Sequence, residues 1–251
     1  TLNQDLNHPR GDKANYVLAL TDQRLGTFNQ FDTSSLVTSA TRTFNLDRDP
    51  TSVFTSPALD ASVTGFVVLL ADKTLLTSQK YELLFKGAIS NSSFITVGGF
   101  RDQRNFSIND LKSGFMRGLT FSNSYISDSN VLTELEYEYA KYNAKASYET
   151  YKSNSYDLNV TSGLGGGWGF KASISHVKKS HFSPLPVFGE RKEELNSINL
   201  EFSNSTSDNC LFASYGISRN DNKSSIDIFS KSNLQVTADF SYLCLFNQAN
   251  S

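Results

Sequence analysis

Three glutamates at every second position are the most distinctive chemical groups of this sequence. Glu134, Glu136 and Glu138 lie in the stretch VLTELEYEYAKYN, residues 131 to 143. In an extended strand, successive side chains point to opposite faces, so the three carboxylates share one face while Tyr137 lies on the other. A row of carboxylates on one face attracts cations. We therefore interpret the three glutamates as groups that face water enclosed by the protein.

The three histidines do not form a catalytic or metal-binding arrangement in the sequence. His8 lies in a polar leader, and His181 lies in a long predicted loop at 178–193. His176 shares its strand parity with apolar residues and is expected on the apolar face. No serine or aspartate beside them forms a nucleophile–base constellation, and no spacing fits a zinc site. We predict no enzymatic activity, no metal and no cofactor.

Two cysteines lie on the last two predicted strands. Cys210 has the parity of the polar face, whereas Cys244 shares the apolar face of the final strand. Residues that face each other across an antiparallel pair must lie on the same side of the sheet. We therefore expect no disulfide between them.

Composition excludes several classes of protein. The chain has 251 residues, with 38% hydrophobic and 12% aromatic residues and a mean hydropathy of −0.34. The longest apolar run is GFVVLLA, residues 65 to 71, far short of the ~20 residues of a membrane-spanning helix. A net charge of −2 provides no basic surface for nucleic acid. The aromatic content argues against a disordered chain.

Alternation of apolar and polar residues from Ala58 onwards predicts an all-β fold. Many alternating runs extend for roughly ten residues, which is the length of a strand that crosses a bilayer obliquely. A soluble β-sandwich also alternates, so alternation alone does not decide which side faces water. Long connections at 178–193 and 220–233 alternate with short ones, as in outer-membrane barrels. A two-residue turn at Asn143 and Ala144 would place Glu138 opposite Glu149.

The alternation assigns the charged and aromatic residues to opposite faces. The predicted lumen-lining residues are Lys80, Glu82, Glu134, Glu136, Glu138, Lys145, Glu149, Asp157, Lys171, Glu201 and Asp239. The predicted interfacial aromatic residues are Tyr125, Tyr137, Tyr139, Tyr156, Trp168 and Tyr242. The predicted signal for membrane insertion is Phe240, Tyr242 and Phe246.

The stretch from Phe188 to Phe246 resembles the closing strands of two barrel families. A basic-acidic cluster opens a strand, and a loop of the form RND-x-x-SSID leads into an alternating strand. The residues that carry these two features are Arg191, Lys192, Glu193, Glu194, Arg219, Asn220, Asp221 and Asp227. This pattern is similar to that of the surface lipoprotein assembly modifiers and of the barrels of tetratricopeptide-linked polysaccharide exporters. The resemblance implies an outer-membrane barrel that serves as an export conduit.

Together these patterns predict an antiparallel, up-and-down transmembrane β-barrel of about 14 strands, in the range of roughly 12 to 16. Residues 1–13 would form a polar leader that links or plugs, residues 14–246 the barrel, and residues 247–251 a polar tail. We expect a porin-like channel or conduit in the bacterial outer membrane, in contact with lipid and other outer-membrane or periplasmic proteins. The alternatives are a non-conducting scaffold barrel and a soluble all-β adhesin or fibre domain.

Overall fold

The structure is a computed structural model of the chain. It describes residues 2–7, 13–23, 33–46, 53–71, 73–206 and 211–242. Cys210, Cys244, His8 and Phe246, for which the sequence makes predictions, lie outside these ranges.

The described residues form 13 β-strands, most of them 11 to 16 residues long. The strands are β1 (Leu2–Asn7), β2 (Lys13–Gln23), β3 (Thr33–Asn45), β4 (Ala58–Leu70), β5 (Lys73–Ala88), β6 (Ser93–Phe106), β7 (Gly114–Ile126), β8 (Val131–Ala144), β9 (Tyr151–Gly165), β10 (Trp168–His181), β11 (Lys192–Thr206), β12 (Leu211–Ser224) and β13 (Lys231–Tyr242).

All 13 strands belong to one sheet in which each strand pairs with the next along the chain. Every pairing between the described strands is antiparallel. The predicted all-β, up-and-down architecture is therefore confirmed, with 13 described strands where about 14 are expected. Residues Leu2–Asn7 of the predicted leader form β1, which pairs with Lys13–Leu18 of β2. No helix among the described residues is long and apolar enough to span a membrane.

The whole chain exposes far more surface than a compact protein of this mass. Its solvent-accessible area is 16721 Å², whereas a compact monomer of 27.8 kDa would expose about 11,000 Å². Among the described residues no large side chain is completely buried. One layer of strands with two faces, instead of a packed interior, accounts for both observations.

The connections at the two ends of the sheet differ in structure. We call the end that holds residues 145–150 the upper end and the end that holds residues 127–130 the lower end. Three upper connections each contain a 3-10 helix, at Asp110–Lys112, Ser147–Glu149 and Asp227–Phe229. At the lower end, β9 and β10 are joined by a tight turn through Gly166 and Gly167, whose φ values of 59° and 80° favour glycine.

Several predicted loop boundaries are wrong because the strands continue further than the alternation indicates. The connection predicted at 220–233 is only 225–230, and the one at 178–193 is only 182–191. The two-residue turn at Asn143 and Ala144 is also wrong, since β8 continues to Ala144 and β9 begins at Tyr151. Glu138 therefore lies opposite Ser155, and not opposite Glu149.

A hydroxyl group closes each of the three upper connections that contain a 3-10 helix. The last residues of β6, β8 and β12 are Phe106, Ala144 and Ser224. Their backbone N–H groups donate to the hydroxyl oxygens of Ser113, Thr150 and Ser230 at 2.8, 3.1 and 3.0 Å. These hydrogen bonds satisfy backbone donors that the sheet has left unpaired. These hydrogen bonds set where each strand ends. The apolar–polar alternation of the sequence gives no information about them.

Candidate functional site: a charged face and its upper rim

The register places the predicted lumen residues of β5 to β11 on one face of the sheet, which we call the polar face. Cross-strand partners must lie on the same side, so the pairings from β5 to β11 fix this assignment. The predicted lumen residues on the polar face are Lys80, Glu82, Glu134, Glu136, Glu138, Asp157, Lys171 and Glu201. The backbone of Asp239 pairs opposite Ser214. The lumen role of these residues stays a prediction.

The two remaining predicted lumen residues lie outside the strands, at the upper end. Lys145 directly follows β8 and its Nζ is 2.6 Å from a carboxylate oxygen of Asp110 in the neighbouring connection. Glu149 ends the 3-10 helix Ser147–Glu149, and its Oε2 is 3.8 Å from Nη1 of Arg191. Both residues therefore belong to the rim of the sheet and hold neighbouring connections together.

The carboxylates of β8 and β9 form an acidic strip on the polar face. Glu136 of β8 pairs directly opposite Asp157 of β9, with Glu134 and Glu138 on either side along β8. Their hydrogen-bond donors are hydroxyl groups: Thr120 donates to Glu136 at 3.4 Å, and Ser155 donates to Asp157 at 2.8 Å. Among the described residues, no lysine or arginine lies within 4.0 Å of these four carboxylates.

The polar face of β4 to β6 has a different charge balance from the acidic strip. Lys80 lies 2.9 Å from Glu82, and Arg104 lies 2.6 Å from Asp102. Lys86 of β5 likewise lies 2.5 Å from a carboxylate oxygen of Asp60 on β4. Charges on this part of the face are therefore neutralised in pairs, whereas those of the acidic strip are not. On the polar face, the carboxylates of β8 and β9 therefore have no ion-pair partner within 4.0 Å among the described residues, in contrast to those of β4 to β6.

Arg191 is the centre of an ion-pair cluster at the upper end of the sheet. Its Nη2 is 3.1 Å from Oε1 of Glu193 at the start of β11, and its guanidinium also approaches Glu149. The guanidinium carbon lies 4.5 Å from the ring centre of Phe229, in the connection between β12 and β13. One side chain therefore joins three connections through charge and cation–π contacts. The resemblance includes Arg191 and Glu193, but alternation alone does not identify the cluster.

His181 joins the same cluster, which corrects its predicted place in a loop. It is the last residue of β10, and its side chain is only 2% exposed. Its Nδ1 donates to the carbonyl oxygen of Tyr148 at 3.0 Å, and its Nε2 lies 3.8 Å from Oε2 of Glu193. The ring of Tyr151 packs against it with the ring centres 5.5 Å apart. The histidine thus connects β10, β11 and the connection at 145–150.

His176 lies on the opposite face of β10, as its parity predicts. Its Nδ1 is 2.6 Å from Oδ1 of Asn196, and its ring stacks on Tyr156 with the centres 6.4 Å apart. Neither contact supplies a nucleophile. Among the described residues, no group of three His, Cys, Asp or Glu side chains is arranged to hold a metal ion.

The other face of the sheet, which we call the apolar face, exposes large hydrophobic side chains on every strand from β2 to β13. The register places them side by side across the whole sheet. The exposed residues are Tyr16, Leu18, Leu20, Leu36, Val63, Tyr81, Leu83, Val97, Leu119, Phe121, Leu135, Tyr139, Tyr156, Leu158, Ile174, Ile198, Phe202, Tyr215, Ile217, Leu234 and Val236. A continuous exposed apolar surface of this extent is typical of contact with protein or lipid.

The predicted interfacial aromatic residues follow the apolar face. Tyr125, Tyr139, Tyr156 and Trp168 are exposed there. Tyr137 is half-buried, and its hydroxyl donates to Oδ1 of Asn154 at 2.9 Å. The backbone register places Phe240 and Tyr242 opposite Ala213 and Leu211, and their proposed part in insertion stays a prediction.

The chain has no match among known protein families. No family model matches the sequence, and comparison with curated protein sequences gives no match either.

Proposed function

We propose that the chain is an integral β-barrel of the bacterial outer membrane, with the apolar face towards lipid and the polar face towards an aqueous lumen. The observation that carries this proposal is the pairing of a continuous exposed apolar face with a charged face on one sheet. In water the apolar face would be unfavourable, because exposing apolar surface to water costs a free energy of about 25 cal/mol per Å². In lipid it is the favourable face, and every backbone group must be paired within the sheet.

The strand lengths support the same proposal. Strands β3 to β12 contain 13 to 16 residues, whereas a strand needs about 9 to 11 to cross the hydrocarbon core. The additional residues would extend the sheet beyond the bilayer at the upper end, where the ion-pair cluster of Arg191 lies. A charged and hydrogen-bonded rim of this kind is compatible with the aqueous side of a membrane protein.

The mechanism we propose is a passive channel or translocation conduit with electrostatic filtering. Solutes would pass along the polar face without covalent chemistry, and the acidic strip of β8 and β9 would concentrate cations and repel anions. The paired charges of β4 to β6 would contribute little to this selectivity, because each is neutralised by a neighbour.

Detergent dependence and gel mobility test the membrane assignment. We expect the folded chain to require detergent and to migrate faster unboiled than boiled. A monodisperse protein that stays folded without detergent would instead support a soluble adhesin or fibre domain. Conductance in planar bilayers then tests the channel: a protein that shows the mobility shift but conducts no ions would support the non-conducting scaffold barrel.

A further inference from the structure

The directions of the two edge strands bear on how the sheet could close. Because consecutive strands are antiparallel, all odd-numbered strands run the same way, and both β1 and β13 run from the upper to the lower end. A seam between β1 and β13 would therefore be parallel. Bacterial outer-membrane barrels contain an even number of antiparallel strands, and parallel pairing is slightly less stable per residue.

Strand β2 is a more suitable pairing partner for β13 than β1 is, in both length and direction. β2 has 11 residues and β13 has 12, and the two strands run in opposite directions. β1 has only six residues and pairs with Lys13–Leu18, which leaves the upper part of that edge of β2 without a described neighbour. A seam between β2 and β13 would leave 12 strands, all antiparallel.

Apolar side chains are strongly exposed at both edges of the sheet. Leu20 in the upper part of β2 is 71% exposed, and Leu234 and Val236 of β13 are 65% and 73% exposed. On interior strands, Leu119 of β7 reaches 65%, whereas Tyr81 and Ile174 are 50% and 51% exposed. All described side chains of β13, at residues 231–238, are exposed, as expected for a strand with a described neighbour on one side only.

We propose that β13 pairs with β2 in the membrane and that β1 occupies this edge of β2 only until the barrel closes. This inference rests on the proposed membrane function. An open strand edge is a template for incorrect pairing in water, and it carries unpaired backbone groups that lipid does not tolerate. β1 would cover part of the edge before insertion, and β13 would pair along the whole of it afterwards.

Disulfide crosslinking tests the seam. In a chain with Cys210→Ser and Cys244→Ser, we would combine Ala19→Cys with Asn233→Cys, Gln235→Cys or Thr237→Cys. All four positions have the parity of the polar face. The three positions on β13 are two residues apart, so together they test three possible registers of β13 against β2. Ala19→Cys with Val37→Cys, an existing β2–β3 pair, is the positive control, and Ala19→Cys with Ser197→Cys on β11 is the negative control.

We expect at least one β2–β13 pair to crosslink in lipid vesicles. A second variant, Asn3→Cys with Val17→Cys, would lock β1 onto β2, since these residues are directly opposite. When oxidised it should lose the mobility difference between unboiled and boiled samples, and a reductant should restore that difference. A chain that lacks residues 1–12 should still show the mobility difference between unboiled and boiled samples.

The outcomes separate the seam from the membrane function. A protein that shows the mobility shift and inserts into vesicles but forms none of the three crosslinks would overturn the β2–β13 seam alone. A mobility shift that persists in the oxidised, locked variant would likewise overturn the seam alone. A chain that remains in water and shows no shift would overturn both the seam and the proposed membrane function.

Discussion

Glu136 lies directly opposite Asp157 in the β8–β9 pair, so two carboxylates face each other across neighbouring strands. Like charges in this position destabilise a sheet. Ser155 and Thr120 donate hydrogen bonds to the two carboxylates, but among the described residues no basic group lies within 4.0 Å of either. Under the proposed channel function, the same negative charge would attract cations into the lumen.

Replacing Asp157 by Asn should stabilise the fold. The substitution removes the repulsion with Glu136 and should raise the free energy of unfolding by about 0.2–1 kcal/mol. The matched control is Glu201→Gln, because Glu201 lies opposite Lys171 and its loss should lower the same free energy by a similar amount. Urea unfolding in detergent measures both. Destabilisation by Asp157→Asn would contradict the repulsion.

Replacing Glu134, Glu136 and Glu138 together by Gln should reduce the cation preference of the channel. The substitution removes three of the four carboxylates of the acidic strip, so the cation-to-anion permeability ratio should fall by about twofold or more. Reversal potentials across a salt gradient in planar bilayers measure this ratio. Glu190→Gln, in the exposed connection 182–191, is the control and should leave the ratio unchanged. An unaltered ratio in the triple variant would exclude a lumen role for these residues.

Gly118→Ala should destabilise the sheet because there is no room for a side chain at that position. A Cβ atom on Gly118 would lie 2.5 Å from the carbonyl oxygen of Tyr139 and 2.6 Å from the ring of Phe100. Overpacking of this kind costs roughly 1–3 kcal/mol. Gly163→Ala is the control, since nothing lies within 4 Å of its Cβ position. Equal urea midpoints for the two variants would show that β6, β7 and β8 pack less closely than described.

Arg191→Ala should loosen the upper rim. It removes the ion pairs with Glu193 and Glu149 and the contact with Phe229. The charged hydrogen bond to Glu193 alone should contribute about 1.5–3 kcal/mol. We expect faster chymotrypsin cleavage after the exposed Phe188 in the same connection. Lys192→Ala, which removes only an exposed side chain 3.8 Å from Glu190, should not change the cleavage rate. Equal rates for both variants would mean that Arg191 does not hold this connection.

Asp110 should titrate below its ordinary pKa. Its hydrogen bond to Lys145, together with one to Ser113, lowers the pKa from 3.8. Because the folded pKa lies below the unfolded one, the stabilisation is present above pH 3.8 and is lost as the pH falls through the folded pKa. Lys145→Met should return the pKa of Asp110 towards 3.8, as measured by NMR titration. Both side chains are exposed, so high salt should have a similar effect. A pKa insensitive to both changes would contradict the ion pair.

The sequence by itself determined the all-β class and the division into two faces. A strand has a period of two residues, so the parity of Glu134, Tyr139, His176 and Ile174 follows from the printed sequence alone. Antiparallel neighbours preserve that parity from strand to strand. For this reason, the predicted charged strand residues lie together on one face and the predicted aromatic residues that are described lie on the other.

Only the tertiary structure decided which residues face each other and where the strands end. The sequence predicts Glu138 opposite Glu149, but the register pairs Glu136 with Asp157 because β8 continues to Ala144. Strand ends depend on single hydrogen bonds, such as that from the backbone N–H of Ala144 to Thr150, which leave no trace in a two-residue period. The cluster of Arg191 likewise depends on contacts between connections that are distant in the chain, and periodicity carries no information about such contacts.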